Sequence, residues 1–289
     1  MSADIFAGQP TDAGVLARLY DLEHDEVTED LVFYREQTRR SGPTVLDLGC
    51  GSGRLLRSFA AGKGRTIVGV DGSAALLHRA EARIAAEPLL AAALAQGRLH
   101  LVHGDVRRLE QLPLRALLRP AGADLIVVAG VLPHLDGPEE ALRLLAGACS
   151  LLAADGRLIL DDLGPELLPD RDLPLSIDWE RQMDGQTVVR RSQLSRRETP
   201  EGLRVAFSTI VDLAGPDGTI ARLPASYRLW YSSDDALAAV IREAGLAIEL
   251  AYGSHDLDPP SASSERRILL VRHASWKGNA APGGPPARG

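Results

Sequence analysis

Asp47 stands near the end of an apolar run and is followed by glycines at alternate positions, Gly49, Gly51 and Gly53, in the segment VLDLGCGSGRL. Glycines spaced this way let a backbone turn tightly and approach a ligand that side chains would hold off. Some way on, a second apolar run ends in Asp71, where a carboxylate can accept hydrogen bonds from both hydroxyls of a ribose. A third run ends in Gly104-Asp105, and a carboxylate there can accept from the exocyclic amine of an adenine. Taken singly, each feature has a plainer explanation, since glycines punctuate loops and aspartates cap helices. Together and in this order they read as a site for an adenosine-bearing molecule.

Such a site needs strands that end side by side. Short apolar runs, TVLDL (44–48), TIVGVD (66–71), LHLVHGD (99–105), ADLIVVA (123–129) and RLILDD (157–162), alternate with helical patterns at 53–61, 73–86 and 138–152. That alternation is the pattern of a parallel α/β sheet. Residues 12–40 carry two further helical patterns, the second opening at Thr28 as an N-cap, and 87–97 reads as an Ala/Leu helix or an extension of the one before it. From 176 to 230 the period changes to two, broken by Asp184-Gly185, Pro200-Glu201-Gly202 and Asp217-Gly218. This predicts an antiparallel insertion of about four strands. A helix at 233–244, stopped by Gly245, then precedes LAIELAY and RRILLVRHA, which would return to the main sheet as its last two strands. The expected organisation is N-terminal helices over 1–43, a main domain over 44–174 and 232–274, the insertion over 175–231, and a disordered Gly/Pro/Ala-rich tail over 275–289.

Composition narrows the partners. A formal net charge of −7 argues against affinity built on neutralising nucleic-acid phosphates or an anionic membrane surface, so a small-molecule or protein substrate is expected. Only two cysteines are present, Cys50 and Cys149, in segments read as a loop and a helix, which fits reduced thiols and the cytoplasm. There is no signal-peptide pattern at the start and no apolar stretch long enough to span a bilayer.

The order of glycine loop, acid ending strand two and acid after strand three resembles the class I S-adenosylmethionine-dependent methyltransferases. The resemblance implies a Rossmann-like seven-stranded sheet with helices on both faces, the antiparallel insertion acting as a lid, and S-adenosyl-L-methionine as cofactor. It places Gly49, Cys50 and Gly51 beside the methionine portion, Asp47 at its amino group directly or through water, Asp71 and Gly72 at the ribose, and Asp105 and Val106 at the adenine. Ala129, with the residues up to Val131, would lie near the methyl, and Tyr20 over the cofactor. Asp155-Gly156 replaces the frequent Gly-Gly before the fifth strand, a departure confined to a turn. The Tyr20-Asp21 pair, the β-rich insertion and the chain's final strands look like small-molecule enzymes, among them amino-sugar and glycine or sarcosine N-methyltransferases.

The acceptor side is less determined. His134, in VLPHLDG just after the fourth strand, is the expected catalytic residue and also a substrate contact, because an imidazole titrates near neutrality; the rival reading is capping or packing. Tyr227 and Tyr231 are expected to wall the acceptor pocket, with core of the lid as the alternative. Successive strand residues face opposite ways, so at most one of Asp161 and Asp162 can reach the cleft, and a structural role is favoured for both. The four arginines of one hairpin, Arg190, Arg191, Arg196 and Arg197, read as a solvated strand face, and no metal is expected. The reaction expected is methyl transfer to N or O of a metabolite by a monomer or homodimer. The alternatives are a cyclisation or rearrangement on the same fold, a non-catalytic cofactor-binding module, or a macromolecular methyltransferase, which should show a basic face or an acceptor motif that this chain lacks.

Overall fold

The computed structural model describes residues 4–62, 64–164 and 167–276. Seven strands form one sheet: β1 (Thr44–Leu48), β2 (Thr66–Asp71), β3 (Leu99–His103), β4 (Ala123–Ala129), β5 (Leu152–Leu163), β10 (Leu246–Tyr252) and β11 (Arg266–His273). Their order is β10-β11-β5-β4-β1-β2-β3, parallel from β3 to β5, with β11 antiparallel to both β5 and β10. The chain starts at β1 and builds outward to β3, then returns to β4 on the other side, so the crevice where ligands bind in open α/β sheets opens at the carboxyl ends of β1 and β4.

Alternation along each strand divides the core. Leu46, Leu48, Val70, Ile126 and Leu160 pack against α7 (Pro138–Leu151) and α8 (Asp234–Glu243). Val45, Ile67, Val127 and Ile159 face the other way, against α2 (Glu29–Arg40) and α3 (Leu56–Phe59) and the helices α4 (Ala74–Ala86) and α5 (Pro88–Ala95). Helices therefore cover both faces, as the sequence pattern implies.

Four long strands, β6 (Leu173–Met183), β7 (Gln186–Thr199), β8 (Gly202–Ala214) and β9 (Ile220–Ser232), form the separate antiparallel sheet, turning at the three sites read from the sequence. One of its faces packs Val188, Val211 and Leu213 on Leu19 of α1 (Ala13–His24). Phe6, Leu16 and Leu76 close a further cluster with Ala225 and Tyr227 of β9.

Several local expectations change. The first helix after the glycine loop is only α3, not 53–61, because the loop keeps positive φ at Gly51 and Gly53. Thr28 occupies the N-cap position of α2 without making a side-chain cap bond. Residues 88–95 form their own helix, since Pro88 opens it and the Glu87 side chain accepts from Leu89 N. β5 begins at Leu152 rather than 157, with a register irregularity against β4 absorbing the Asp155-Gly156 turn. Of the tail expected from Ser275, residues 277–289 lie outside the described residues. No helix among the described residues is long and apolar enough to cross a membrane.

Candidate active site

A cleft of about 550 Å³ opens at the carboxyl edge of the sheet, and its two ends are built differently. At the first end the backbone does most of the work. Gly49 N and Cys50 N both donate to Val70 O, pinning the loop after β1 to the end of β2. Gly49 has φ +83°, and a Cβ there would overlap Val131; Gly51 has φ +55°, and a Cβ there would meet the Tyr20 hydroxyl at 3.2 Å. Only glycine satisfies both the conformation and the space.

Asp71 accepts from Gly51 N on one oxygen and from Ser73 N on the other, each at 2.8 Å. These bonds hold the carboxylate upright at the cleft wall, and each oxygen keeps lone pairs for a ligand. Burial raises its pKa above the ordinary value, against the lowering effect of the two backbone N–H groups. Asp105 also lines the cleft, but its carboxylate is already gripped by Arg107 at 2.8 Å, and Arg107 reaches on to Glu140 at 2.7 Å. Burial opposes ionisation of Asp105, yet the bonds and charge of Arg107 outweigh it and hold its pKa below the ordinary value.

Asp47 lies beneath this end, 2% exposed, and does not reach the wall. Its Oδ2 has no hydrogen-bond partner among the described residues, and burial, then the nearby charge of Asp71, push its pKa up to about 7. Cys50 is buried too, with its thiol pKa raised by burial. Tyr20, Gly49, Gly51, Gly72, Val106, Ala129 and His134 line the cleft alongside Asp71 and Asp105. Tyr20 stacks on His24 at 4.0 Å between ring centroids, and burial raises its hydroxyl pKa well above the ordinary value. His134 is pushed down to about 4 by burial and then by the neighbouring His24, so it is neutral and a weak proton acceptor at neutral pH.

The other two substrate candidates lie away from the wall. Tyr227 packs among Phe6, Leu16 and Leu76, its pKa pushed up to about 12 by burial and then by Glu23. Tyr231 sits with Leu203 and Val205 and the partly buried Leu163. Neither is brought to the cleft, because the strand face that carries both is occupied by apolar packing.

The second end is a side-chain network that sequence reasoning did not assemble. Asp161, at the end of β5 and 1% exposed, accepts from Tyr34 (2.5 Å), from His255 Nε2 (2.8 Å) and from Arg266 Nε and Nη2 (2.8 and 2.6 Å). Burial alone would raise its pKa; His255 and Arg266 reverse that and hold it below the ordinary value. Asp162 points to the opposite face, as strand alternation requires, and burial pushes its pKa up to about 7. Beside this network, Arg54 forms a two-pronged pair with Asp30 at 2.8 and 2.6 Å. Tyr34, Asp161, His255 and Arg266 come from four segments up to 232 positions apart, so only the lone aspartate pair ending β5 offered a signal.

The first end fits an adenosine-bearing sulfonium cofactor. Asp71 presents lone pairs where a ribose would lie, and the unpartnered oxygen of Asp47 suits a primary ammonium. The glycine loop leaves the room that side chains would fill. No group of three or more His, Cys, Asp or Glu among the described residues is arranged to hold a metal ion.

Fold and cleft together resemble those of the S-adenosylmethionine-dependent methyltransferases. Within the chain, residues 46–158 match a family described as a methyltransferase domain. The chain is 31% identical over 135 residues to the mitochondrial ubiquinone biosynthesis O-methyltransferase of Schizosaccharomyces pombe. That match takes in 47% of this chain and spans 43% of the relative's length. Among solved structures the fold is similar to the CcbJ methyltransferase of Streptomyces caelestis, with a TM-score of 0.70 at 20% identity, covering 95% of this chain and 100% of that one. It is also similar to the sugar N-methyltransferase KedS8 of a Streptoalloteichus species, with a TM-score of 0.65 at 17% identity, covering 94% and 98%.

Proposed function

We propose that this protein transfers the methyl group of S-adenosyl-L-methionine to a nitrogen or oxygen of a small molecule. The observation that carries the reading is the joint placement of the glycine loop and Asp71 at one end of one cleft, with a carboxylate oxygen of Asp47, unpartnered among the described residues, buried beneath it. When bound there, the cofactor supplies an electrophilic methyl on a sulfonium.

The residues around it have separable tasks. Asp71 and Gly72 hold the ribose, and the backbone of Gly49, Cys50 and Gly51 lies along the methionine portion. Asp47 receives the ammonium, and its ionisation is stabilised by that positive charge. Val106 and Asp105 bound the adenine. The Arg107 pair leaves Asp105 fixed rather than free, so its contribution is a rigid acceptor. Ala129 and Tyr20 confine the reactive end, where exclusion of water strengthens electrostatic interactions. His134 orients the acceptor by hydrogen bonding as a neutral imidazole. Aligning a nucleophile with the sulfonium can supply much of the acceleration by itself.

The four-stranded sheet is the lid. β9 packs against the short turn Leu132–His134, and Arg204 of β8 donates to the Asp136 carbonyl, so the lid rests on the segment that follows β4. The names of the relatives support both N and O as acceptor atoms, the sugar N-methyltransferase and the ubiquinone O-methyltransferase being one of each. Cys50 and Cys149 are free thiols, which supports a cytoplasmic setting.

Calorimetry with S-adenosylmethionine and S-adenosylhomocysteine tests the reading, with Asp71→Ala as the control. Binding that weakens in the variant, followed by a product heavier by one CH₂ in an acceptor screen, is the expected result. A folded wild-type protein that binds neither ligand removes it.

A further inference from the structure

The second end of the cleft holds an aspartate-histidine pair that the cofactor does not account for. Ionised Asp161 can only accept, so the nitrogen of His255 facing it, Nε2, carries a hydrogen, and in the neutral imidazole Nδ1 carries the lone pair. Nδ1 has no hydrogen-bond partner among the described residues, and His255 lines the cleft with its side chain 12% exposed. An imidazole held by a buried carboxylate, with its other nitrogen open to a cleft, has the arrangement of a positioned general base.

The neighbours of His255 are fixed. Asp161 faces it from β5, and Phe33 and Tyr34 of α2 pack at 5.5 and 6.1 Å between ring centroids. Glu29, also on α2, is close enough to feel its charge. Arg266 of β11 shares Asp161, and Glu265 and Asp256 line the same cleft. Tyr34 and Arg266 together hold Asp161 so that its carboxylate cannot swing away from the imidazole.

The charge of the cleft bears on what this base serves. Its walls carry the carboxylates of Glu29, Asp30, Asp71, Asp105, Asp161, Asp256 and Glu265 against three guanidiniums, Arg54, Arg107 and Arg266. Each guanidinium already pairs with one of those acids. A cleft with this excess of negative charge favours a cationic ligand over a neutral one.

We propose that His255, positioned by Asp161, is the base that takes a proton from the acceptor, and that the acceptor is an amine entering as its ammonium. This rests on the methyltransferase reading above. The ammonium passes one proton to Nδ1, leaving a neutral amine and an imidazolium stabilised by Asp161. The amine lone pair forms the N–C bond while the S–C bond breaks, its electron pair remaining on sulfur. The products are the methylated ammonium and S-adenosylhomocysteine, and the imidazolium returns its proton to solvent.

The test uses amine and alcohol probes of matched skeleton: glucosamine and glucose, benzylamine and benzyl alcohol, cyclohexylamine and cyclohexanol. S-adenosylhomocysteine formation is followed with wild type, His255→Ala and His255→Gln, the last keeping a donor to Asp161 but no lone-pair nitrogen. Expected are transfer to an amine and not to its alcohol, and kcat reduced about 100-fold or more in both variants with cofactor affinity unchanged. Added imidazole should restore part of the rate to His255→Ala alone. Transfer to an alcohol but not its amine, or variants that keep kcat within twofold, overturns the proposal. Transfer to no probe while calorimetry still registers cofactor overturns the amine assignment and leaves the cofactor site standing. Loss of cofactor binding in the wild type instead overturns the reading beneath both.

Discussion

The two ends of the cleft are organised by different means. At the glycine end, short contiguous segments bring backbone groups to the ligand, and two acids there keep unused acceptor capacity: Asp47 Oδ2 is unpartnered among the described residues and Asp71 holds one protein bond per oxygen. At the Asp161 end, both oxygens of that carboxylate are taken, and it ties four segments together. An acid that waits for a ligand should lose binding when altered, and an acid whose bonds are already filled by the protein should lose stability first.

The largest effect expected from this contrast is at Asp161. Asp161→Asn leaves Arg266 facing a neutral amide in a buried setting, and removing one partner of a buried pair typically costs about 3–5 kcal/mol. Denaturant unfolding should register that loss, with cofactor affinity in the surviving folded fraction little changed. The pH dependence has a defined sign. Because the folded pKa of Asp161 lies below its ordinary 3.8, its contribution is present above that value and is lost as pH falls through the lower folded one. The variant should lack that acid-side loss. A variant as stable as wild type would mean that the network is not what holds this end together.

At the glycine end the order of effects reverses. Asp71→Ala removes the carboxylate that meets the ribose hydroxyls, and hydrogen bonds to a charged group contribute about 1.5–3 kcal/mol each. A loss of about 3 kcal/mol, more than a hundredfold in Kd by calorimetry, is expected with a smaller change in stability. Equal losses of stability and affinity would erase the distinction between the two ends.

Asp47 sharpens the same contrast through pH. Its folded pKa, raised from 3.8 to about 7, means that its carboxyl favours the fold fully below 3.8 and that this advantage is lost as pH rises to about 7. Above that pH the protein without ligand holds a buried charge with one unpartnered oxygen. Asp47→Asn should therefore be more stable than wild type at alkaline pH, and bind the cofactor more weakly. In the wild type, cofactor affinity should fall about tenfold per pH unit below about 7, as the carboxylate that meets the ammonium is protonated, one unit corresponding to about 1.4 kcal/mol. A Kd flat across that range would detach Asp47 from the ligand.

What could be read from the sequence follows the same division. The strands, the four-stranded antiparallel sheet and its three turns were legible because each depends on period-two or period-3.6 patterning and on Asp-Gly or Pro-x-Gly turns that are local. The glycine loop and Asp71 were legible because their spacing is fixed by one βαβ unit. His255 left no such trace: it sits in the loop between β10 and β11, and its meaning comes from a carboxylate 94 positions earlier. Asp161 could be narrowed to one of two aspartates by strand alternation, but only the position of Tyr34 on α2 decides which. Nor could the sequence give the shift of His134, because its low pKa arises from burial and from His24 on α1, across the cleft in sequence and near it in space.

The smallest expected effect is at Tyr227, where the lid meets the N-terminal helices. An aromatic residue in an inserted sheet is equally suited to touch an acceptor or to fill the lid's own core, and the ring here packs with Phe6, Leu16 and Leu76, tilted at 6.5 Å from Phe207. Its hydroxyl makes no hydrogen bond among the described residues, so Tyr227→Phe removes an oxygen and leaves the packing surface intact. Stability and kcat should each change by no more than about 0.5 kcal/mol, the ordinary range for a substitution that breaks no cap, pair or core contact. A selective rise in acceptor KM, with cofactor affinity and stability unchanged, would mean that the lid swings its inner face onto the acceptor during turnover. The acceptor subsite would then extend from the Asp161 wall to β9.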